Sequence, residues 1–301
     1  MLKSRQLEAF RAVILIGSAS EAAASLGISQ PAVSRLIADL EQQLKLQLFE
    51  RRGGKLLPTA DGITLYREVD RSFVGLERIE LAARDIRERR GGALRVAGLP
   101  ALAGSFLPGV VAEFVKERPA VDITLYGMTS PSVLDWVVAG RCDVGFVQER
   151  IPHSAIVSED LPAVPGVFAA PVGHPLLAKE TIVPQDLHGC DLVALAGPSL
   201  MRSKFDAVMT THSVLPVIRA ETPLTMIACG LVSAGLGCAI VDFFTARHIR
   251  WPNVELRPFR PTITFEWSLI TPGFSASSSI SREFIETFHR RFRARIAEFD
   301  G

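Results

Sequence analysis

The sequence predicts an α/β protein in three parts: an N-terminal winged helix-turn-helix, a long connecting helix, and a C-terminal body of two α/β lobes. Three observations carry this prediction. Residues 1–60 show helical periodicity, broken by a glycine turn and followed by a basic hairpin pattern. From Thr59 to Arg90 one narrow apolar seam persists. From Ala93 onward short apolar runs alternate with helical patterns, as parallel βαβ units do.

Length and composition set the frame. A chain of 301 residues holds two or three compact units, and 48% hydrophobic with 22% charged residues is globular composition. No run approaches the ~18–20 apolar residues of a membrane helix. The N-terminus MLKSRQLEAFRAVILIGSASEAA lacks a signal-peptide pattern, so a cytoplasmic location without a membrane partner is expected. Residues 1–60 carry eight basic and five acidic side chains, a net of +3 against −2 for the remainder, which permits an anionic partner at that end. Cys142, Cys190, Cys229 and Cys238 are scattered, without C-x-x-C or H-E-x-x-H nearby. They are expected as reduced, mostly buried thiols, and no metal or other cofactor is expected.

The first helix is placed at about Gln6–Ile16, with Leu7, Phe10 and Ile14 on its inner face. The second carries Ala22, Ala23 and Leu26. Ser18 with Glu21 forms a capping-box pattern, Ser20 is a rival cap, and Gly27 closes the helix. The stretch ISQPAVSRLIADLE then starts the third. Ser29 is its N-cap, and Pro31 sits in the first turn, where a missing N–H loses no partner. Val33, Leu36, Ile37, Leu40 and Leu44 make a buried stripe. Gln30, Ser34 and Arg35 share the exposed face near the start. Alone, this describes a solvated surface helix. After a second helix and a glycine turn it describes a recognition helix, whose N-terminal residues meet base edges in the major groove.

Next, LQLFE and KLLP flank Arg51-Arg52-Gly53-Gly54-Lys55, a hairpin with cations at its tip. Behind a helix-turn-helix it is a wing whose cations lie over DNA; in isolation it is a solubilising turn. Thr59 can cap the long helix. Tyr66, Val69, Phe73, Leu76, Ile79, Ala83 and Ile86 form its seam, which implies a second copy of the chain. The alternative partner for that seam is the helix's own domain. ERRGGA reads as a linker.

In the body, ALRVAGL, VDITLYG and DVGFVQ read as strands separated by helices at Phe106–Arg118 and SPSVLDWVVAG. A second set follows: VPGVFAAP, CDLVAL, a helix from Leu200 to Thr211, PVIRAET, a helix from Leu224 to Ala234, and GCAIV. TITFEWSLITP reads as one long strand and Ser281–Phe299 as a terminal helix. Two such lobes place a ligand at the carboxyl ends of their strands. The chain has no G-x-S-x-G, no Walker A and no strand followed by G-x-G-x-x-G, so no enzyme is expected.

The run QLEAFRAV…GSASEAAASLGISQPAVSRLIADLEQQLKLQLFERRGGKLLPTADG resembles the N-terminal domain of LysR-type transcriptional regulators. The resemblance continues more weakly through LRVAGLPALAGSFLP, CDVGF and SAGLGCAIV. Within the family, RSFVGLERI and LRVAGLPALAGSFLP look most like the regulators of octopine and nopaline catabolism. The resemblance implies residues 1–60 as DNA-binding domain, 61–91 as linker and dimerisation helix, and 92–301 as a periplasmic-binding-protein-like effector domain. One lobe would combine about 92–162 with 266–301, and the other would span about 163–265. It further implies a homodimer or homotetramer, double-stranded promoter DNA and RNA polymerase as partners, and a small organic acid or amino-acid-like effector.

The DNA-facing set is then Ser29, Gln30, Pro31, Ser34, Arg35, Arg51, Arg52, Lys55 and Thr59. The effector positions that the resemblance implies are Pro100, Ala101, Thr129, Ser130, Gln148, Thr222 and Pro223. Many members carry a hydroxyl where Ala101 stands. The residue types agree with a carboxylate ligand: Thr129-Ser130-Pro131 and Thr222-Pro223 each open a helix, whose N–H groups and positive dipole end suit an anion. Each pair also reads as an ordinary N-cap. A two-lobed solute-binding protein is the alternative function, but it would lack the N-terminal winged helix.

Overall fold

A computed structural model describes residues 2–52, 55–88, 92–148, 151–197, 199–248, 251–274 and 278–300; within these, the side chains at 51, 52, 55, 71, 77, 78, 81, 82, 84–88 and 298–300 lie outside the description. The chain divides into two compact units, Met1–Arg84 and Asp85–Gly301.

The first unit contains α1 (Ser4–Ile16), α2 (Ala19–Ser25), α3 (Gln30–Leu44), β1 (Phe49–Arg52), β2 (Lys55–Pro58) and α4 (Ala60–Glu88), which runs to the unit boundary and past it. Ser18 caps α2 by accepting the Glu21 N–H. The turn into α3 is closed by Gly27 at φ +64° and by the Ile28 N–H donating to the Ala23 carbonyl at 3.1 Å. Ser29 then caps α3 as expected. Phe10, Val13, Ala22, Ala23, Val33, Ile37, Leu40 and Leu48 form one buried cluster, so the apolar stripes of three helices meet. β1 and β2 pair antiparallel from Phe49↔Pro58 to Arg52↔Lys55, the hairpin that the Gly-Gly pattern predicts. The turn residues 53–54 lie outside the described residues. Glu41 fastens this hairpin to α3 by accepting the Leu48 and Phe49 N–H groups at 2.6 and 3.0 Å.

α4 does not carry its seam to one partner. Val69 is buried in the helix-turn-helix core, with Tyr66 and Phe73 packed against it, while Arg11 lies over the Phe73 ring and pairs with Asp70 at 2.9 Å. The first half of the seam therefore belongs to its own domain. Beyond it Leu76 (52%) and Ile79 (66%) are exposed, as is Ala83. The Ile86 side chain lies outside the described residues. Apolar spacing shows that a face is to be covered, but not by what.

The second unit runs β3 (Ala93–Gly98), α5 (Pro100–Ala103), α6 (Leu107–Glu117), β4 (Asp122–Gly127), α7 (Ser130–Val138), β5 (Val144–Gln148), β6 (Ile156–Asp160), β7 (Val164–Pro171), β8 (Asp191–Leu195), α8 (Leu200–Thr211), β9 (Val217–Thr222), α9 (Thr225–Ser233), β10 (Ala239–Asp242), α10 (Phe243–His248), β11 (Val254–Pro258), β12 (Thr264–Phe265), β13 (Trp267–Pro272) and α11 (Ser279–Asp300). The first lobe has the strand order β4-β3-β5-β13-β6, parallel among β3, β4 and β5 and antiparallel at β13. In the second lobe β7 sits between β10 and β11 and also pairs with β12, while β8 and β9 are parallel. Backbone hydrogen bonds between Val193 and Cys238 and between Cys238 and Asp191 join these groups. Gly237 permits that approach: a Cβ there would lie 2.4 Å from the Asp191 carbonyl oxygen.

Two expectations change here. TITFEWSLITP is not one strand. It breaks at Glu266, because Thr264–Phe265 pairs with β7 in the second lobe while Trp267 onward pairs with β5 and β6 in the first. The short strands β6 and β11 and the six-residue α10 leave no periodic signal in the sequence, since none is long enough to express a period. α11 is as predicted in kind: Phe284, Phe288 and Phe292 recur every fourth residue and are fully buried. Phe292 stacks on Phe288 at 5.1 Å and on Phe244 at 5.2 Å.

Candidate DNA-reading helix and effector cavity

In the first unit, Gln30, Pro31 and Arg35 are exposed and Ser34 is half-buried, on the side of α3 away from Val33, Ile37 and Leu40. The Ser29 hydroxyl accepts the Ala32 N–H at 3.4 Å, which sets where the helix starts. The Gln30 side-chain amide donates to Ser34 Oγ at 2.9 Å. Thr59 is committed locally: its hydroxyl donates to the Gln47 carbonyl at 2.7 Å and accepts the Gly62 N–H at 3.0 Å, capping α4. The backbones of Arg51, Arg52 and Lys55 lie at the closed end of the hairpin. Their side chains lie outside the described residues.

In the second unit a cavity of about 630 Å³ opens between the lobes. Pro100 and Ala101 of α5, Thr129 and Ser130 at the start of α7, Gln148 at the end of β5, and Pro223 before α9 all line it. Ser130 and Gln148 are tied together, since the Gln148 backbone N–H donates to Ser130 Oγ at 2.8 Å. Thr129 Oγ1 lies 3.0 Å from Ser132 Oγ. Neither Thr129 before α7 nor Leu224 before α9 caps its helix through a side chain. Each lobe thus turns an uncapped helix start toward the cavity. Leu99, Ile151, Leu195, Met201, Phe265 and Trp267 make the rest largely apolar, and among the described lining residues there is no Asp, Glu, His, Cys, Lys or Arg.

Thr222 is placed differently. It is 4% exposed, is absent from the wall, and its hydroxyl accepts the Leu224 N–H at 3.2 Å. A residue before proline is held in extended backbone, so Thr222 ends β9 and the helix waits until Thr225. Thr225 is the residue of this segment with a hydroxyl that lines the wall instead. Ser199, the cap of α8, also lines the cavity. A serine before a helical run signalled the cap, but not the side of the lobe on which it lies.

The four thiols are free, and Cys190 alone of them is only half-buried. Burial pushes Cys142, Cys229 and Cys238 up to about 12, which leaves them protonated and unreactive. Among the described residues no His/Cys/Asp/Glu cluster suits a metal ion, and no helix is long and apolar enough to cross a membrane.

The comparisons agree with this architecture. Residues 4–63 match the bacterial regulatory helix-turn-helix family model of the lysR family, and residues 87–293 match the LysR substrate binding domain. The chain is similar to regulatory protein NocR of Agrobacterium fabrum, at 38% identity over 94% of this chain and 95% of that protein. It is similar to the octopine catabolism/uptake operon regulatory protein OccR of Rhizobium meliloti, at 35% identity over 98% and 97%. The fold is shared with full-length CbnR bound to its target DNA, at a TM-score of 0.74 and 24% identity, over 96% of this chain and 99% of that one. The chain belongs to the LysR family and is a DNA-binding transcriptional regulator rather than an enzyme.

Proposed function

We propose that this regulator is controlled by a small carboxylate of opine or amino-acid type, taken into the cavity between the lobes. The observation that carries the reading is the pair of uncapped helix starts, α7 from one lobe and α9 from the other, lining a cavity that is otherwise largely apolar. Backbone N–H groups and helix dipoles bind anions, and the apolar wall suits the carbon skeleton between charged ends. The names of NocR and OccR support the opine class. In this reading residues 1–60 hold promoter DNA through α3 and the wing, 61–91 join copies into a dimer or tetramer, and 92–301 take the effector in lobes of about 92–162 with 266–301 and about 163–265. RNA polymerase is the partner that reads out the result, in the cytoplasm.

The test is a thermal-shift screen of the full chain with octopine, nopaline, L-arginine, L-lysine and benzoate. A ligand at a hundred times its Kd stabilises the folded state by about 2.7 kcal/mol. A shift with the opines or amino acids and none with benzoate is expected. A shift with benzoate alone overturns the assignment of class.

A further inference from the structure

The joint between the recognition helix and the wing converges on one side chain. α3 ends at Leu44, Lys45 turns the chain at φ +55°, and β1 begins at Phe49. Glu41, in the last turn of α3, gathers this short link. Its backbone carbonyl accepts the Lys45 and Leu46 N–H groups. Its Oε1 accepts both the Leu48 N–H at 2.6 Å and the Phe49 N–H at 3.0 Å. Gln47 adds a second hold, since its side-chain amide donates to the Phe49 carbonyl at 3.0 Å. From the side of α4, Thr59 donates its N–H to the Leu48 carbonyl at 2.9 Å and its hydroxyl to the Gln47 carbonyl at 2.7 Å.

Leu48 and Phe49 are buried, and buried irregular backbone has to find hydrogen-bond partners. Any acceptor would satisfy two amides. One carboxylate oxygen shared by consecutive N–H groups also fixes the direction in which β1 leaves α3. β1 and β2 pair from Phe49↔Pro58 to Arg52↔Lys55, so the closed end of the hairpin goes where Phe49 sends it. That end lies three residues on, about 10 Å at the rise of a strand, so a swing of roughly 20° at Phe49 moves it by about 3.5 Å. Such a shift is larger than a hydrogen bond to phosphate tolerates.

We propose that Glu41, with Gln47 beside it, is a positioning residue for DNA binding: it sets the wing at the angle from α3 that brings the wing's cations onto phosphates while α3 occupies the groove. By charge a carboxylate repels DNA, so Glu41 opposes binding through its charge and supports it through its geometry. The role lies in where it holds Phe49, not in touching DNA. This rests on the reading that the wing contacts the phosphates.

Two variants separate geometry from charge. Glu41→Gln keeps Oε1 in reach and removes the charge. Glu41→Asp keeps the charge and draws the oxygen back by one methylene. Each full-chain protein is titrated, over a series of salt concentrations, with a duplex that the wild-type protein selects from a randomised pool and with an unrelated duplex. Glu41→Asp should reduce the slope of log affinity against log salt by about one for each wing cation that leaves its phosphate. It should weaken binding to both duplexes by the same factor and leave the selected consensus as in wild type. Glu41→Gln should restore the slope. Adding Arg52→Ala to Glu41→Asp should lower the slope by less than Arg52→Ala does alone. A wild-type slope in Glu41→Asp overturns the proposal. So does the same change in Glu41→Gln, which assigns the effect to charge, or an altered consensus, which assigns it to a general loosening of the domain. If Glu41→Asp does not fold, Gln47→Ala, at an exposed residue of the same joint, carries the test, and an unchanged slope there overturns the proposal. Arg52→Ala alone reports on the wing: if it leaves the slope unchanged, the wing reading fails and the proposal with it. If Arg52→Ala lowers the slope while Glu41→Asp does not, the proposal alone fails.

Discussion

Gln30 and Ser34 hold each other one turn apart on the exposed face of α3, through a hydrogen bond of 2.9 Å from the Gln30 amide to the Ser34 hydroxyl. The bond orients the Gln30 amide, whose carbonyl and remaining N–H suit an adenine edge. Selection of bound sites from a randomised operator pool should give a consensus that Gln30→Ala changes at one position of each half-site. Ser34→Ala should blur that same position, because the amide is no longer held. Identical consensus sequences from all three proteins would mean that Gln30 does not read bases.

Arg35 is exposed on the same face. Arg35→Ala should weaken operator binding by about 1–3 kcal/mol and relax specificity at one base pair, as for a bidentate arginine–guanine contact. An even loss across all sequences would assign it to phosphate instead.

The wing is expected to act through charge alone. Arg52→Ala should weaken binding to operator and unrelated DNA alike, and should reduce the slope of log affinity against log salt by about one charge. A titration series in which the slope stays at the wild-type value would place the Arg52 side chain away from the phosphates.

The two halves of the α4 seam should respond differently. Phe73→Asp places a carboxylate against the core of its own domain and should lower stability by about 2–3 kcal/mol. Ile79→Asp, at a residue 66% exposed, should leave the melting temperature of an isolated chain nearly unchanged but weaken self-association. Sedimentation checks the second outcome; an Ile79→Asp protein that associates like wild type would show that another surface joins the copies.

In the cavity, Ser130→Ala should cost an opine or amino-acid ligand about 1.5–3 kcal/mol, the range for a hydrogen bond to a charged group, while DNA binding is retained. Thr222→Val should act otherwise. Its hydroxyl serves the Leu224 N–H and not the wall, so the loss should appear in thermal stability first. Calorimetry of both variants separates the two roles, and wild-type affinity in Ser130→Ala would remove that residue from the site.

Much of this protein is written locally. Ser18, Gly27, Ser29 and Pro31 act on their own neighbours, so the turn and start of the recognition helix can be read from adjacent residues. The same holds for the Gly-Gly hairpin and for the four-residue repeat of Phe284, Phe288 and Phe292. By itself the sequence determined the order of the parts, the exposed face of α3 and two of the four hydroxyl residues on the cavity wall, Thr129 and Ser130. It did so because caps, turns and apolar periods depend on bonds between residues a few positions apart. Tertiary structure decided the rest. Whether Phe73 faces its own domain or another copy depends on what lies across from it, which includes Arg11, distant in sequence, and the core of the first three helices. Glu266 breaks a strand because the hydrogen-bonding partners on its two sides belong to different lobes. Thr225 rather than Thr222 reaches the cavity because a proline holds Thr222 in the sheet. Asp242 looks like any helix cap in sequence; only the packing of α9 and α10 around it removes it from water, since burial is a property of the surroundings and not of the residue.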